Sequence, residues 1–173
     1  MKEKNSSGKA VRKMAVLAVL TALAMLLSWV EAILPPVFTA VPGIKVGLPN
    51  IVILIILYRF GFLEAGSVSL VRILLVSLLF GNPLTLAYSL AGGALSLFAM
   101  ALLKKTAAFS TVGVSVVGGI LHNLGQIAVA MIVLHTAEIG YYMIVLAVTG
   151  TLAGILVGAA GAILLKKLPM LKI

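Results

Sequence analysis

The chain of 173 residues contains no cysteine, which excludes structural disulfides, thiolate metal sites and cysteine nucleophiles. Aspartate is also missing: all four acidic residues are glutamates. Its absence removes aspartate-rich magnesium sites and every aspartate-dependent triad. Charged residues make up only 10% of the chain and aromatics 6%. The two histidines, His122 and His135, lack the spacing of metal ligands. No glycine-rich phosphate loop with its lysine is present. These absences speak against an enzyme, and neither a metal nor a cofactor is expected.

The abundant residues settle the class. A hydrophobic share of 62% and a mean hydropathy of +1.26 describe an integral membrane protein. The length holds about six spans of roughly 20 residues each, with no room for a separate soluble domain. A net charge of +9 would suit nucleic acid, but its distribution argues otherwise. Lys2, Lys4, Lys9, Arg12 and Lys13 precede the first span. Lys104 and Lys105 follow the fourth, and Lys166, Lys167 and Lys172 the last. Under the positive-inside rule these are the cytoplasmic ends of an in–out–in alternation. The expected partner is a lipid bilayer, not nucleic acid, and the expected location a bacterial-type inner membrane. The basic start resembles a signal peptide. However, the apolar stretch 14–34 is too long and lacks a small-residue cleavage site, so it reads as a retained helix.

The expected fold is an all-α bundle of six transmembrane helices, with both termini cytoplasmic. Residues 1–12 read as a polar tail and 13–173 as a single transmembrane domain. The expected spans are 13–34, 48–60, 67–80, 84–103, 109–134 and 141–165. Trp29 falls where an outer aromatic belt would lie. Pro35 and Pro36 stop the first helix, and a Pro- and Gly-rich outer loop, 35–47, carries Lys45. The cytoplasmic turn is expected at 61–66 with Glu64, and an outer turn at Gly81-Asn82-Pro83.

Six spans in this arrangement account for every lysine and arginine except Lys45 and Arg72. A cation at bilayer depth costs about 2.5–3.5 kcal/mol on insertion scales, so Arg72 is read first as a site facing the protein interior. Its planar fork of donors suits a phosphate, a carboxylate or a polarised carbonyl. A helix-locking cation bound to backbone carbonyls is the plainer reading. Glu64 and Glu31 are candidate partners, one toward each membrane face.

On the fifth span, Ser115, Gly119, His122 and Gln126 follow spacings of four, three and four and share one helical face, with Asn123 one step round. An interhelical hydrogen-bond network would explain them; a ligand site would explain their density better. Gly150, Gly154 and Gly158 recur every four residues on the last span, which suits close packing within the bundle. Ala18 and Ala22 do so on the first, where the same spacing would serve the bundle or a separate subunit.

The segment Pro42-Gly43-Ile44-Lys45-Val46-Gly47-Leu48-Pro49-Asn50, the run from Arg72 to Ser77-Leu78-Leu79-Phe80-Gly81, Ser89-Leu90-Ala91-Gly92-Gly93 and His122-Asn123-Leu124-Gly125-Gln126 together resemble the Gx transporter family. That family is also labelled heptaprenyl diphosphate synthase component I, and it is similar to the substrate-binding S components of energy-coupling factor transporters. The resemblance implies a six-helix S-component-like bundle. It also implies a transmembrane coupling subunit docked on the Ala18/Ala22 face, ATPase subunits behind it, and a loop after the first helix that covers the substrate. Candidate substrate-binding residues are Lys45, Asn50, Arg72, Asn82, Tyr88, His122, Asn123 and Gln126. The substrate would be a small molecule: a vitamin, a flavin or an isoprenoid- or quinone-related compound. The synthase label fits poorly with a chain that lacks aspartate. It leaves a second reading, a non-catalytic membrane partner of an isoprenoid, quinone or redox assembly.

Overall fold

A computed structural model describes residues 2–33 and 47–168, with side chains from residue 8 onward. Its helices are α1 (Lys2–Ile33), α2 (Leu48–Arg59), α3 (Phe62–Phe80), α4 (Pro83–Thr106), α5 (Thr111–Leu134) and α6 (Met143–Lys167). A 3-10 segment, Ala137–Tyr142, leads into α6. Five helices are long and apolar enough to cross a membrane. Large aliphatic and aromatic side chains stand exposed on their outer faces, including Val19, Leu78, Phe98, Ile132 and Ile144. In water such a surface would aggregate; in lipid it is the ordinary outside of a multi-pass membrane protein.

The exception among the expected spans is α2. It has 12 residues, about 18 Å at 1.5 Å per residue, against a hydrocarbon core of about 30 Å. Val52, Ile53, Leu54, Ile55, Ile56 and Leu57 are all buried, so the helix is apolar all round because it is enclosed all round. It packs against α1, α3 and α6. Around it lies the core, with Ala24 of α1, Ala65 and Val68 of α3, Leu97 and Met100 of α4, Val114 of α5 and Val157 of α6.

Charged residues fasten this packed end. Lys13 pairs with Glu64. Arg59 donates through Nη2 to the carbonyls of Leu165 and Leu168 at the end of α6. Lys104 Nζ donates to the Leu57 carbonyl at 2.6 Å and lies 5.2 Å from the centre of the Tyr58 ring. A cation on the last carbonyls of α2 also suits the negative end of its dipole.

Two boundaries differ from expectation. Helix α1 begins at Lys2, so the backbone of residues 2–12 is helical and continuous with the first span; nothing before Pro35 breaks the helix. Helix α3 begins at Phe62, so 61–66 is not a loop. Phe60 and Gly61 make the turn, with Gly61 at φ 120°, a conformation that favours glycine. Glu64 then falls in the first turn of α3, where a carboxylate is favourable.

Backbones come closest between α5 and α6. A Cβ built on Gly150 would lie 2.9 Å from the Gly119 carbonyl oxygen, and one on Gly158 2.7 Å from Val112 Cα. The glycine ladder of α6 is therefore packed within the bundle. Ala18 and Ala22 are exposed on α1 and take no part in that packing.

Candidate functional site

Because α2 spans little more than half the membrane thickness, the bundle is filled at its basic end and hollow at the other. A cavity of about 680 Å³ occupies the hollow half, and every helix contributes to its wall. Pro49 and Asn50, at the start of α2, line it from below. Its volume lies within the usual range for small-molecule sites, about 300–1,000 Å³.

One wall is ionic. Ser28 and Glu31 of α1 lie three residues apart on the face that also buries Ala24, and they look across at Arg72 of α3. Arg72 Nη1 donates to Ser28 Oγ at 3.3 Å, a long contact. Its Nε is buried with no partner among the described residues. Glu31 acts on Arg72 electrostatically but forms no ion pair with it; the one ion pair among the described residues is Lys13–Glu64. Instead, Glu31 Oε1 accepts the backbone N–H of Gly47, the residue that caps α2 with φ 78°. The carboxylate thus sits at the positive end of α2. Arg72 lines the cavity with its Nε buried and unpartnered among the described residues.

The facing wall is neutral and polar. His122 and Gln126, one turn apart on α5, join through Nε2 atoms at 3.1 Å. Asn123 Nδ2 donates to the Leu146 carbonyl at 2.7 Å and ties α6 to α5 while still lining the cavity. Tyr88 and Ser89 of α4 complete this side. Close packing sets the position of His122. A Cβ on Gly92 would fall 2.7 Å from the His122 carbonyl oxygen, and one on Gly125 2.8 Å from Ala91 carbonyl atoms. These glycines let α4 lie directly against α5 and fix the imidazole from behind.

Beneath the cavity is a water-sized chamber of about 30 Å³, which shares Asn50, Gly119 and Ala153 with it and adds Ser96 and Ser115. Ser115 therefore belongs to the floor, one turn below Gly119, and not to the main wall.

Of the candidates from sequence, Asn50, Arg72, Tyr88, His122, Asn123 and Gln126 line one cavity. Asn82 does not. Its Oδ1 accepts from the Thr85 N–H at 2.8 Å and the Thr85 hydroxyl at 3.0 Å, so it caps α4. Lys45 lies outside the described residues. Sequence reasoning reached Glu31 only as a partner for Arg72 and missed Ser28, Ser77 and Ser89. The spacing of Ala24, Ser28 and Glu31, four then three, carried the missing signal. Among the described residues no three of His, Asp or Glu gather as metal ligands would.

The family model described as heptaprenyl diphosphate synthase component I matches residues 20–164. The chain belongs to that family. The match runs from α1 to α6, so it takes in both walls of the cavity. No curated protein and no solved structure matches the chain. The wall residues therefore gain a family here, and their chemistry must be read from the geometry.

Proposed function

We propose that the chain is the substrate-binding membrane subunit of an energy-coupling factor type transporter, and that it is not an enzyme. The observation that carries this reading is the blind cavity. It is walled by all six helices, closed below by α2, and holds an arginine with unused donors. Such a cavity holds a solute, and nothing gathered in it performs covalent chemistry. With the basic end toward the cytoplasm, the cavity opens outward, and Lys45 precedes its rim in the chain. Arg72 holds the anionic or carbonyl end of the ligand, while His122, Asn123 and Gln126 orient the remainder. Asn50 and Tyr88 complete the contacts.

The exposed Ala18/Ala22 face on α1 supports the same reading. Two small residues one turn apart let another helix approach closely, and both are exposed among the described residues. A coupling subunit bound there, with ATPase subunits, would supply the energy this chain has no means to harvest. The family description favours a second reading, a non-catalytic membrane partner of an isoprenoid, quinone or redox assembly, and a chain without aspartate fits a partner better than a synthase.

Purification from native membranes separates the two. Coupling and ATPase subunits should co-purify, with a small molecule identifiable by mass spectrometry. Ala18→Leu with Ala22→Leu should release the subunits and leave the small molecule bound. Recovery of a soluble prenyl synthase or a redox protein in their place would favour the second reading.

A further inference from the structure

The ionic wall sets how much charge a ligand can bring. Taking the cavity as a solute site, as proposed above, we infer that Glu31 biases it toward a singly charged anion on a largely apolar body and against diphosphates.

The count starts from the described groups. Arg72 contributes one positive charge and Glu31 one negative charge to the same cavity. The amino end of α2, reached through the Gly47 N–H that Glu31 accepts, adds about half a positive charge. Before a ligand enters, the wall is close to neutral with a slight positive excess. One carboxylate placed on the open donors of Arg72 leaves a deficit of about half a charge, which the Ser28 hydroxyl and the neutral donors opposite can answer. A phosphoryl group carries about −1.5 to −2 at neutral pH, and a diphosphate more. Its excess would sit beside the Glu31 carboxylate with no cation among the described residues to meet it. Buried, uncompensated charge of that kind is strongly unfavourable.

Glu31 is thus the residue that sets the limit. It is not free to turn away, because its Oε1 is engaged at the cap of α2. Nor does it neutralise Arg72 directly, since the two form no ion pair. The carboxylate repels a second ligand charge while the guanidinium attracts the first. The apolar part of the ligand would rest on Ile73, Val76, Phe80 and Ile127, which line the same space.

Glu31→Gln tests this, because glutamine keeps an oxygen to accept the Gly47 N–H and deletes only the charge. The full chain, in nanodiscs of phosphatidylcholine, would be titrated by calorimetry with phenylbutyrate and with inorganic pyrophosphate. Wild type should bind phenylbutyrate and leave pyrophosphate unbound. Glu31→Gln should bind pyrophosphate at least about tenfold more tightly than the limit set by wild type, and Arg72→Met should lose phenylbutyrate. Pyrophosphate binding equally well to wild type and Glu31→Gln would overturn the charge limit while the solute cavity stands. If neither anion binds to wild type or Glu31→Gln, with both proteins folded, the solute site fails and this inference with it.

Discussion

The two halves of the bundle, divided where α2 begins, are built on opposite principles. At the basic end the space between helices is filled by Val52, Leu54, Ile56 and Leu57, and charged side chains face outward onto backbone carbonyls or one another. At the other end no central helix lies among the described residues, and the same long helices enclose a hollow lined by Arg72, Glu31, His122 and Gln126. Most of the polar groups of the cavity wall lie where space has been left for them. The packed half provides stability, so the hollow half can hold a group such as Arg72 Nε, which has no partner among the described residues.

The sharpest way to break this division is to mutate one residue in each half. Leu54→Ala, at a fully buried position, should lower stability by about 2–5 kcal/mol, read as thermal unfolding in detergent, with ligand affinity little changed in the protein that remains folded. Arg72→Met should do the reverse. Affinity should fall by about 2–5 kcal/mol if the arginine meets a charged ligand group, while the melting temperature holds or rises. If Arg72→Met binds normally and melts early, the arginine belongs with the packed half as a structural cation.

A smaller effect should come from the glycine wall that both halves share. A Cβ on Gly154 would lie 2.5 Å from Val116 Cα and 2.8 Å from the Ser115 carbonyl oxygen, backbone atoms that cannot swing aside. Gly154→Leu should cost about 1–3 kcal/mol of stability and weaken binding as well, since α5 and α6 carry cavity residues on both sides of this contact. Unchanged binding would mean that the wall is less rigid than its packing suggests.

The smallest change is expected at Gln126→Leu. A neutral hydrogen bond is worth about 0.5–1.5 kcal/mol, so ligand affinity should drop by that amount in the same titration, with stability unaltered. A loss as large as that of Arg72→Met would move the ligand's charged end to the neutral wall.

The helices were legible in the sequence because apolar runs broken by Pro, Gly and Lys need no periodicity to be seen. Arg72 and the α5 polar face were legible for a related reason: polar groups stand out in an apolar span. What hid was the direction each apolar residue faces. Lipid and core are equally apolar, so Leu54, fully buried, and Leu78, exposed to lipid, look alike in the chain. For the same reason α2 read as one more span, when its burial on every side makes it the central plug. The site of Asn82 was hidden differently, since an asparagine before a proline-led helix serves equally as a cap or as a ligand contact, and here it caps α4. The capping role of Glu31 escaped because its partner is a backbone N–H, which leaves no mark on a sequence.

The unequal anchoring of the two ends of α2 has a consequence for how such a bundle can change. Lys104 holds the Leu57 carbonyl and Arg59 reaches the end of α6, so the lower end of the plug is fixed in place. Its upper end is held by the Glu31 contact to the Gly47 N–H. One turn inserted after Gly47 would raise the floor by about 5.4 Å, and one turn deleted would lower it by as much, with the outer helices and their lipid-facing surface untouched. Depth, and with it the length of molecule admitted, is adjustable by a single short segment.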